Sequence, residues 1–342
     1  VRVGFNPNKD KLQGTNDYFH QVIIPVYIPS QEGYFKDSFK ILQYSIDSLI
    51  KTAHSRSFIS VVDNGSSKEV QSYLDDLYDR RQIQELIKTS SIGKLNALLK
   101  GISGHDFAFV TLTDCDVLFL NGWQKATYNV FEKFPKTGAV CPTPSSKSLR
   151  NYTSNIWFDL LFSKSLQFTK VKNPEALKAF ANSVGNPEMY NSVHLEKYLT
   201  VANADFRAVV GAGHFVTTYR KEIFGKSDTK YSNFMLGGDS EERLLDFPVV
   251  QKGMWRLSTE ENFAYHLGNV EENWMGETLE KIKSDSTTLE VPVLVSNVNS
   301  SKINFFFKYK IFAKIISGKN IWHYCLRWKG LSKEQAIKYT GK

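Results

Sequence analysis

Thr113-Asp114-Cys115-Asp116 follows directly on the apolar run Phe107-Ala108-Phe109-Val110-Thr111-Leu112. Two carboxylates one residue apart, at the carboxyl end of a buried strand, can hold a divalent cation against a diphosphate. A carboxylate is a costly core residue unless it is paired or metal-bound. In open α/β sheets ligands sit just beyond the carboxyl ends of such strands, so these two acids are expected at the mouth of a site. The same spacing also occurs in solvated strand-to-loop turns, and the rest of the chain has to decide between the two.

The elements that would position the acids are legible before and after them. Gln21 to Tyr27 reads as a buried strand interrupted near its end by Pro25. Ser38 to Ala53 carries apolar residues at helical spacing, among them Phe39, Leu42, Ile46 and Leu49. Phe58 to Val62 is a second strand, closed by the turn residues Asp63-Asn64-Gly65-Ser66-Ser67. A helix around Lys68 to Tyr78, a short strand near Ile83 to Ile87 and a helix from Gly93 to Ile102 lead to the strand that delivers the acids. Strands alternating with helices predict a mostly parallel sheet.

The second half is less regular. Asn151 to Val201 is aromatic and reads as helical in places, as an inserted, substrate-facing region would. Phe206 to Thr217 reads as strand around a Gly-Ala-Gly bend, and Phe234 to Asp246 as an acidic turn leading into a helix. Ser284 to Asn299, rich in Ser, Thr, Val and Asn, reads as a linker. From Ser301 the tail interleaves Lys302, Lys308, Lys310 and Lys314 with Phe305, Phe306, Phe307, Tyr309, Ile311, Phe312, Ile315 and Ile316. A basic amphipathic helix of this kind can lie in an anionic membrane interface or dock on the domain with its lysines in water, and the breadth of the apolar stripe does not separate these.

Composition narrows the class of partner. The chain has 342 residues, 42% hydrophobic and 23% charged, with a net charge of +8, which describes a globular protein with a sizeable core. The positive balance favours a nucleotide diphosphate, an acidic glycan or an anionic membrane surface. No nucleic-acid recognition motif occurs, and no nucleic acid is expected as partner. Cys115, Cys141 and Cys325 fit neither metal-ligand spacing nor a disulfide framework, which points to a reducing compartment, the cytoplasm. No signal-peptide pattern follows Val1, and no run reaches the roughly 18 apolar residues of a spanning helix.

Five stretches carry a family pattern. They are Val22-Ile23-Ile24-Pro25-Val26-Tyr27, Ser60-Val61-Val62-Asp63-Asn64-Gly65-Ser66, Ile92-Gly93-Lys94-Leu95-Asn96-Ala97-Leu98-Leu99-Lys100-Gly101, Asp114-Cys115-Asp116, and Met235-Leu236-Gly237-Gly238-Asp239-Ser240-Glu241-Glu242-Arg243. Together, over roughly Gln21 to Asn269, they resemble the inverting glycosyltransferases of the GT-A fold, specifically glycosyltransferase family 2. A late Tyr265-His266-Leu267-Gly268-Asn269 sits where relatives carry a His that completes a metal site.

The resemblance implies a role for each. Pro25 and Tyr27 would line the pocket for the nucleotide base, and Asp63 would accept a hydrogen bond from the imide N–H of uracil, with Gly65 permitting the turn; a plain turn role for Asp63 is the alternative. Lys94 would offer charge to the nucleotide or its phosphates, or else be a solvated lysine. Asp114 would face the ribose or a metal-bound water, while Asp116 and His266, with Asp114, would hold Mn²⁺ or Mg²⁺. Asp239 would be the base that takes the proton of the acceptor hydroxyl, with Glu241 the second acid and the fallback; both also suit the first turn of a helix. His214 is a further residue for the acceptor side. Leu99 stands where the family has Asn, and Gly238 where it has Glu.

The expectation is therefore an α/β protein of GT-A (Rossmann-like) type, with a mostly parallel sheet flanked by helices and a helical carboxyl-terminal extension. The transferase domain is expected over 19–275, its donor half about 19–120 and its acceptor half about 121–275, followed by a linker at 284–299 and a basic aromatic tail at 300–342. The implied reaction is metal-dependent, inverting transfer of a sugar from a nucleotide-diphosphate sugar, UDP-linked, to a hydroxyl of a glycan or lipid-linked acceptor in bacterial cell-surface polysaccharide synthesis. The implied place is the cytoplasm, peripheral on the inner membrane face, through contact of the tail with anionic lipid. A sugar nucleotidyltransferase would need a Gly-rich loop after the first strand, which Ile28-Pro29-Ser30-Gln31-Glu32-Gly33 does not supply. A non-catalytic binding module on a decayed transferase fold would not be expected to keep Asp63, Asp114, Asp116 and Asp239.

Overall fold

Four parallel strands form the first half of the molecule: β1 (His20–Val26), β2 (Ser57–Asp63), β3 (Glu85–Lys88) and β4 (Phe109–Thr113), in the order β3-β2-β1-β4. The computed structural model describes residues 1, 3–12, 17–225, 231–284, 288–294 and 301–341. Every residue of β1 and β4 is buried, as coverage on both faces requires. The crossovers are α1 (Ser38–Thr52), α2 (Lys68–Asp79) and α3 (Lys94–Ile102). α1 turns Ile41, Leu42, Ile46 and Leu49 inward, the three-to-four-residue spacing of one helix face.

Pro25 is tolerated in a central strand for a geometric reason. Val26 accepts the amide of Asn64 on the β2 side, so residue 25 points the other way, towards β4. Pairing with β4 ends at Ile23, and the missing N–H of Pro25 is not called on.

The second half adds β5 (Val117–Phe119), α4 (Trp123–Lys133), β6 (Thr137–Cys141), α5 (Ser154–Leu160), β7 (Leu166–Lys170), α6 (Pro174–Ser183), α7 (Ser192–Glu196), β8 (Lys197–Asn203), β9 (Phe206–Val210) and β10 (Val216–Arg220). A helical turn at Glu242–Asp246 runs into α8 (Phe247–Gln251), followed by β11 (Trp255–Thr259), β12 (Ala264–His266) and α9 (Asn273–Lys281). The sheet continues from β4 as β10-β6-β11-β9-β8-β7. β10 is antiparallel to both neighbours, β6 and β11 are parallel, and β9, β8 and β7 alternate. The expected parallel sheet is thus parallel across the first half and mixed across the second, because short turns such as Ala204-Asp205 can join only antiparallel neighbours.

Asn151 to Val201 is accordingly more than helical: it contains the edge strand β7 and the start of β8. The Gly-Ala-Gly bend separates two strands that lie apart in the sheet, β9 beside β11 and β10 beside β4. Outside the main sheet, β5 and β12 form a short antiparallel pair in which His266 faces Val117.

The tail packs on this second half. Lys302–Phe305, Phe306–Phe312 and Ala313–Ile316 follow one another as helix, and Lys319–Trp328 and Lys333–Tyr339 come after. Trp322, Cys325 and Leu326 join the core cluster that contains Phe131, Trp157 and Leu199. The Tyr339 hydroxyl donates to the Ser146 carbonyl, and Lys329 Nζ donates to the Leu160 and Ser163 carbonyls. Of the expected linker, 285–287 and 295–299 lie outside the described residues, while Leu289 and Leu294 pack against the same core cluster. Among the described residues no helix is long and apolar enough to cross a membrane.

Candidate active site

The carboxyl end of β4 delivers Asp114, whose amide donates to the Phe215 carbonyl at 2.7 Å. Two residues on, the carbonyl of Asp116 accepts the amide of Leu267 at 2.7 Å. That bond extends the β5–β12 pair, and it is why a histidine so distant in sequence reaches the acids. One ligand atom each from Asp114, Asp116 and His266 lies within 4.8 Å of the others. His266 Nε2 stands 3.4 Å from Asp116 Oδ2, and its Nδ1 is held by the Ser183 hydroxyl at 2.9 Å.

The donor set fits a divalent cation. Asp116 Oδ1 is buried with no hydrogen-bond partner among the described residues, which is costly unless a cation or water satisfies it. Burial pushes the Asp116 carboxyl up to about 6, with His266 pulling the other way and Asp114 adding to the rise. Two hard oxygens and one imidazole suit Mn²⁺, and Mg²⁺ less well, since imidazole is a softer ligand.

Lys94 opens α3 beside the acids. Its Nζ lies 2.7 Å from Asp114 Oδ1 and 3.0 Å from Glu241 Oε1. Burial works against its charge, but Asp114 and Glu241 outweigh burial and hold the ammonium above the usual lysine range. Gly93 makes this approach feasible: its φ is +89°, and a Cβ there would sit 2.8 Å from the Phe234 carbonyl. The Lys94 amide also donates to the Met235 carbonyl at 2.9 Å, so the acidic loop is fastened to the start of α3.

Glu241 and Asp239 part company. Glu241 faces inward to Lys94 and His214, while Asp239 is exposed and its carbonyl accepts the Arg243 amide. Burial would raise the Glu241 carboxyl, yet Lys94 and then His214 bring it below the usual range. Behind it, His214 Nδ1 is 3.4 Å from Glu241 Oε2 and Nε2 is 2.6 Å from Asp246 Oδ2. Asp246 Oδ1 in turn lies 2.7 Å from Arg256 Nη2, both side chains essentially fully buried. Arg256 is fixed further by the carbonyls of Asn151 and Ala212.

Several of these groups line one cavity of about 390 Å³. Lys94, Asp114, His214, Glu241 and His266 line it, together with Ser145 and with Phe180, Met189 and Tyr190 of the inserted region. Asp116, Asp239, Pro25, Tyr27 and Asp63 do not line it, Asp116 lying against the lining His266. Asp63 is buried, and its Oδ1 accepts the Ser66 amide at 2.9 Å while Gly65 takes φ +94°, the turn role. Pro25 is buried and Tyr27 is exposed, set edge-on to Phe35.

Asp246 and Arg256 carry no motif and are not among the site residues expected from the sequence. The available signal was a charge inside an apolar run: Leu244-Leu245-Asp246-Phe247, and Arg256 in a strand buried throughout. Such residues must find each other or a ligand.

The family described as Glycosyl transferase family 2 matches residues 22–193, half of the chain. No curated protein matches in sequence. Among solved structures, S. aureus TarS 1–349 is 12% identical with a TM-score of 0.43, covering 94% of this chain and 81% of that one. The same protein in complex with UDP-GlcNAc is 13% identical with a TM-score of 0.43, at 94% and 70%. The mannosyltransferase PcManGT from Pyrobaculum calidifontis, in complex with GDP-Man and Mn²⁺, is 13% identical with a TM-score of 0.43, at 94% and 73%.

Proposed function

The chain belongs to glycosyltransferase family 2, and on that premise we propose inverting, divalent-metal-dependent transfer of a sugar from a nucleotide-diphosphate donor to an acceptor hydroxyl. The donor is a UDP-sugar and the acceptor a glycan or lipid-linked saccharide, in the assembly of bacterial surface polysaccharide at the cytoplasmic face. One observation carries the reading: Asp114 and His266, which cluster with Asp116, line the same cavity as an inward-facing Glu241.

Tyr27, beside the turn that Asp63 shapes, receives the base. Asp114, Asp116 and His266 hold the cation, Mn²⁺ before Mg²⁺. When bound, the cation offsets charge on the departing diphosphate. The acceptor oxygen attacks the anomeric carbon, the bond from that carbon to the diphosphate oxygen breaks, and its electron pair leaves with the nucleotide. Glu241 takes the hydroxyl proton. We prefer it to Asp239 because its carboxylate faces the cavity. His214, between Glu241 and buried Asp246, orients that carboxylate and offers the proton a second resting place. Lys94 keeps Asp114 and Glu241 together on one ammonium.

The test is nucleotide release from UDP- and GDP-sugars, with and without Mn²⁺, in Glu241→Gln and Asp239→Asn. Loss of a general base costs about 10²–10⁴-fold in turnover, expected for Glu241→Gln with Asp239→Asn within a few-fold of wild type. The reverse pattern would return the role to Asp239. No metal-dependent release with any donor would overturn the transferase chemistry.

A further inference from the structure

The helical stretch from Lys302 to Ile316 has two working faces. Phe305, Lys308, Tyr309, Phe312 and Ile316 turn towards the domain. Lys308 pairs with Asp159, Phe312 meets Phe158 edge-on at 5.1 Å, and Tyr309 meets Phe247 at 5.5 Å. A helix that only had to dock would be polar on its other side. Here the other side carries Ile303, Phe306, Phe307 and Ile315, each more than half exposed, with Ile311 beside them. Lys302, Lys310 and Lys314 are exposed among these apolar residues.

Charge says what covers this face. From Val291 to Lys333 the chain has no Asp or Glu, and beyond the lysines already named in this stretch it supplies Lys319, Arg327, Lys329 and Lys333. Exposed aromatic and aliphatic side chains flanked by lysines match the boundary between lipid headgroups and acyl chains, where the apolar groups enter and the ammonium groups meet anionic lipid. A segment without acids also repels neither phosphate nor carboxylate headgroups. Phe162 and Trp328, in edge contact at 5.2 Å and both exposed, are further apolar groups of the kind that enrich such interfaces.

We propose that the outward face of Lys302–Ile316 is a docking surface for an anionic lipid bilayer, held at a fixed angle to the cavity by its inward face. The inference stands apart from the transfer chemistry, since binding to lipid needs no turnover.

The experiment is co-sedimentation of the whole chain with phosphatidylcholine vesicles, with and without phosphatidylglycerol, across a salt series. Binding is expected only with phosphatidylglycerol and is expected to fall with salt. Each lysine near an anionic surface contributes about 1 kcal/mol, so the triple variant Lys302→Gln, Lys310→Gln, Lys314→Gln should bind roughly a hundredfold more weakly. Phe307→Ser with Ile311→Ser should also lose binding. All these side chains are exposed, so thermal unfolding should be unchanged and will show that a loss is not misfolding. Absence of binding to anionic vesicles, or equal binding by both variants, would overturn the proposal. So would a dimer, seen by light scattering, that these variants dissolve, because a second copy would then be the occupant.

Discussion

Replacing Asp116 by Asn should make the metal-free protein more stable at pH 8 and abolish its response to metal. The wild-type carboxyl is raised from 3.8 to about 6, by burial first. The folded state therefore binds more protons than the unfolded state between those values, and the group's contribution to stability is fully present below pH 4 and lost as pH rises through 6. At about 1.4 kcal/mol per unit the full cost of ionisation is about 3 kcal/mol. The side chain is 25% exposed, so solvent screening lowers this to about 1–2 kcal/mol. Asn has nearly the same shape and no charge to ionise.

The assay is thermal or urea unfolding of both proteins in chelator from pH 4 to pH 8, then with Mn²⁺ and donor. In chelator the variant should match wild type near pH 4 and exceed it at pH 8 by about 1–2 kcal/mol, or about 1–3 °C for a chain of this size. With ligand at a hundred times its dissociation constant, wild type should gain about 2.7 kcal/mol and overtake the variant. A variant less stable than wild type at pH 8 in chelator would refute the reasoning. So would a difference that does not vary with pH.

Two further expectations concern the frame. Asp246→Ala leaves Arg256 buried without its carboxylate, so unfolding should show a loss of about 3–5 kcal/mol; a loss below 1 kcal/mol would mean that the Asn151 and Ala212 carbonyls suffice. Trp322→Ala removes a tail side chain packed edge-on against Trp157 at 4.9 Å, and about 3–5 kcal/mol should go in one cooperative transition. A separate early transition for the tail would show that it folds independently of the sheet.

The first half was legible because its elements are long, apolar and differently periodic. The run that became β4 and the stripe of α1 leave little choice, and both lie within a residue or two of expectation. β7 was missed since only Leu166 of its five residues is fully buried, and an edge strand of mixed burial looks like loop or helix. His266 could be suspected from its place after the acidic loop, but only the β5–β12 pairing brings it to Asp116. The choice between Asp239 and Glu241 was not legible at all. Two acids in a turn have no fixed phase, because the period that sorts faces in a helix or strand does not run through Gly237-Gly238. Asp246 and Arg256 were invisible for a different reason: each looks like a misplaced charge until the partner, ten residues on, folds against it.

The arrangement of those charges explains how a cavity with so many acids holds together before substrate arrives. Asp114 and Glu241 line it, Asp116 and Asp246 lie against its lining histidines, and four carboxylates so close would repel one another. Each has a basic neighbour instead: Lys94 for Asp114 and Glu241, His266 for Asp116, and Arg256 with His214 for Asp246. These neighbours come from both halves, Lys94 from α3 and the others from the bend after β9, from β11 and from β12. The ion pairs therefore tie the acidic loop and the second half to the parallel strands. A cation entering among Asp114, Asp116 and His266 would compete with Lys94 for Asp114, and that competition would free the ammonium for the anionic donor that arrives with the metal. The counter-charges that stabilise the empty cavity are thus the groups best placed to receive what fills it.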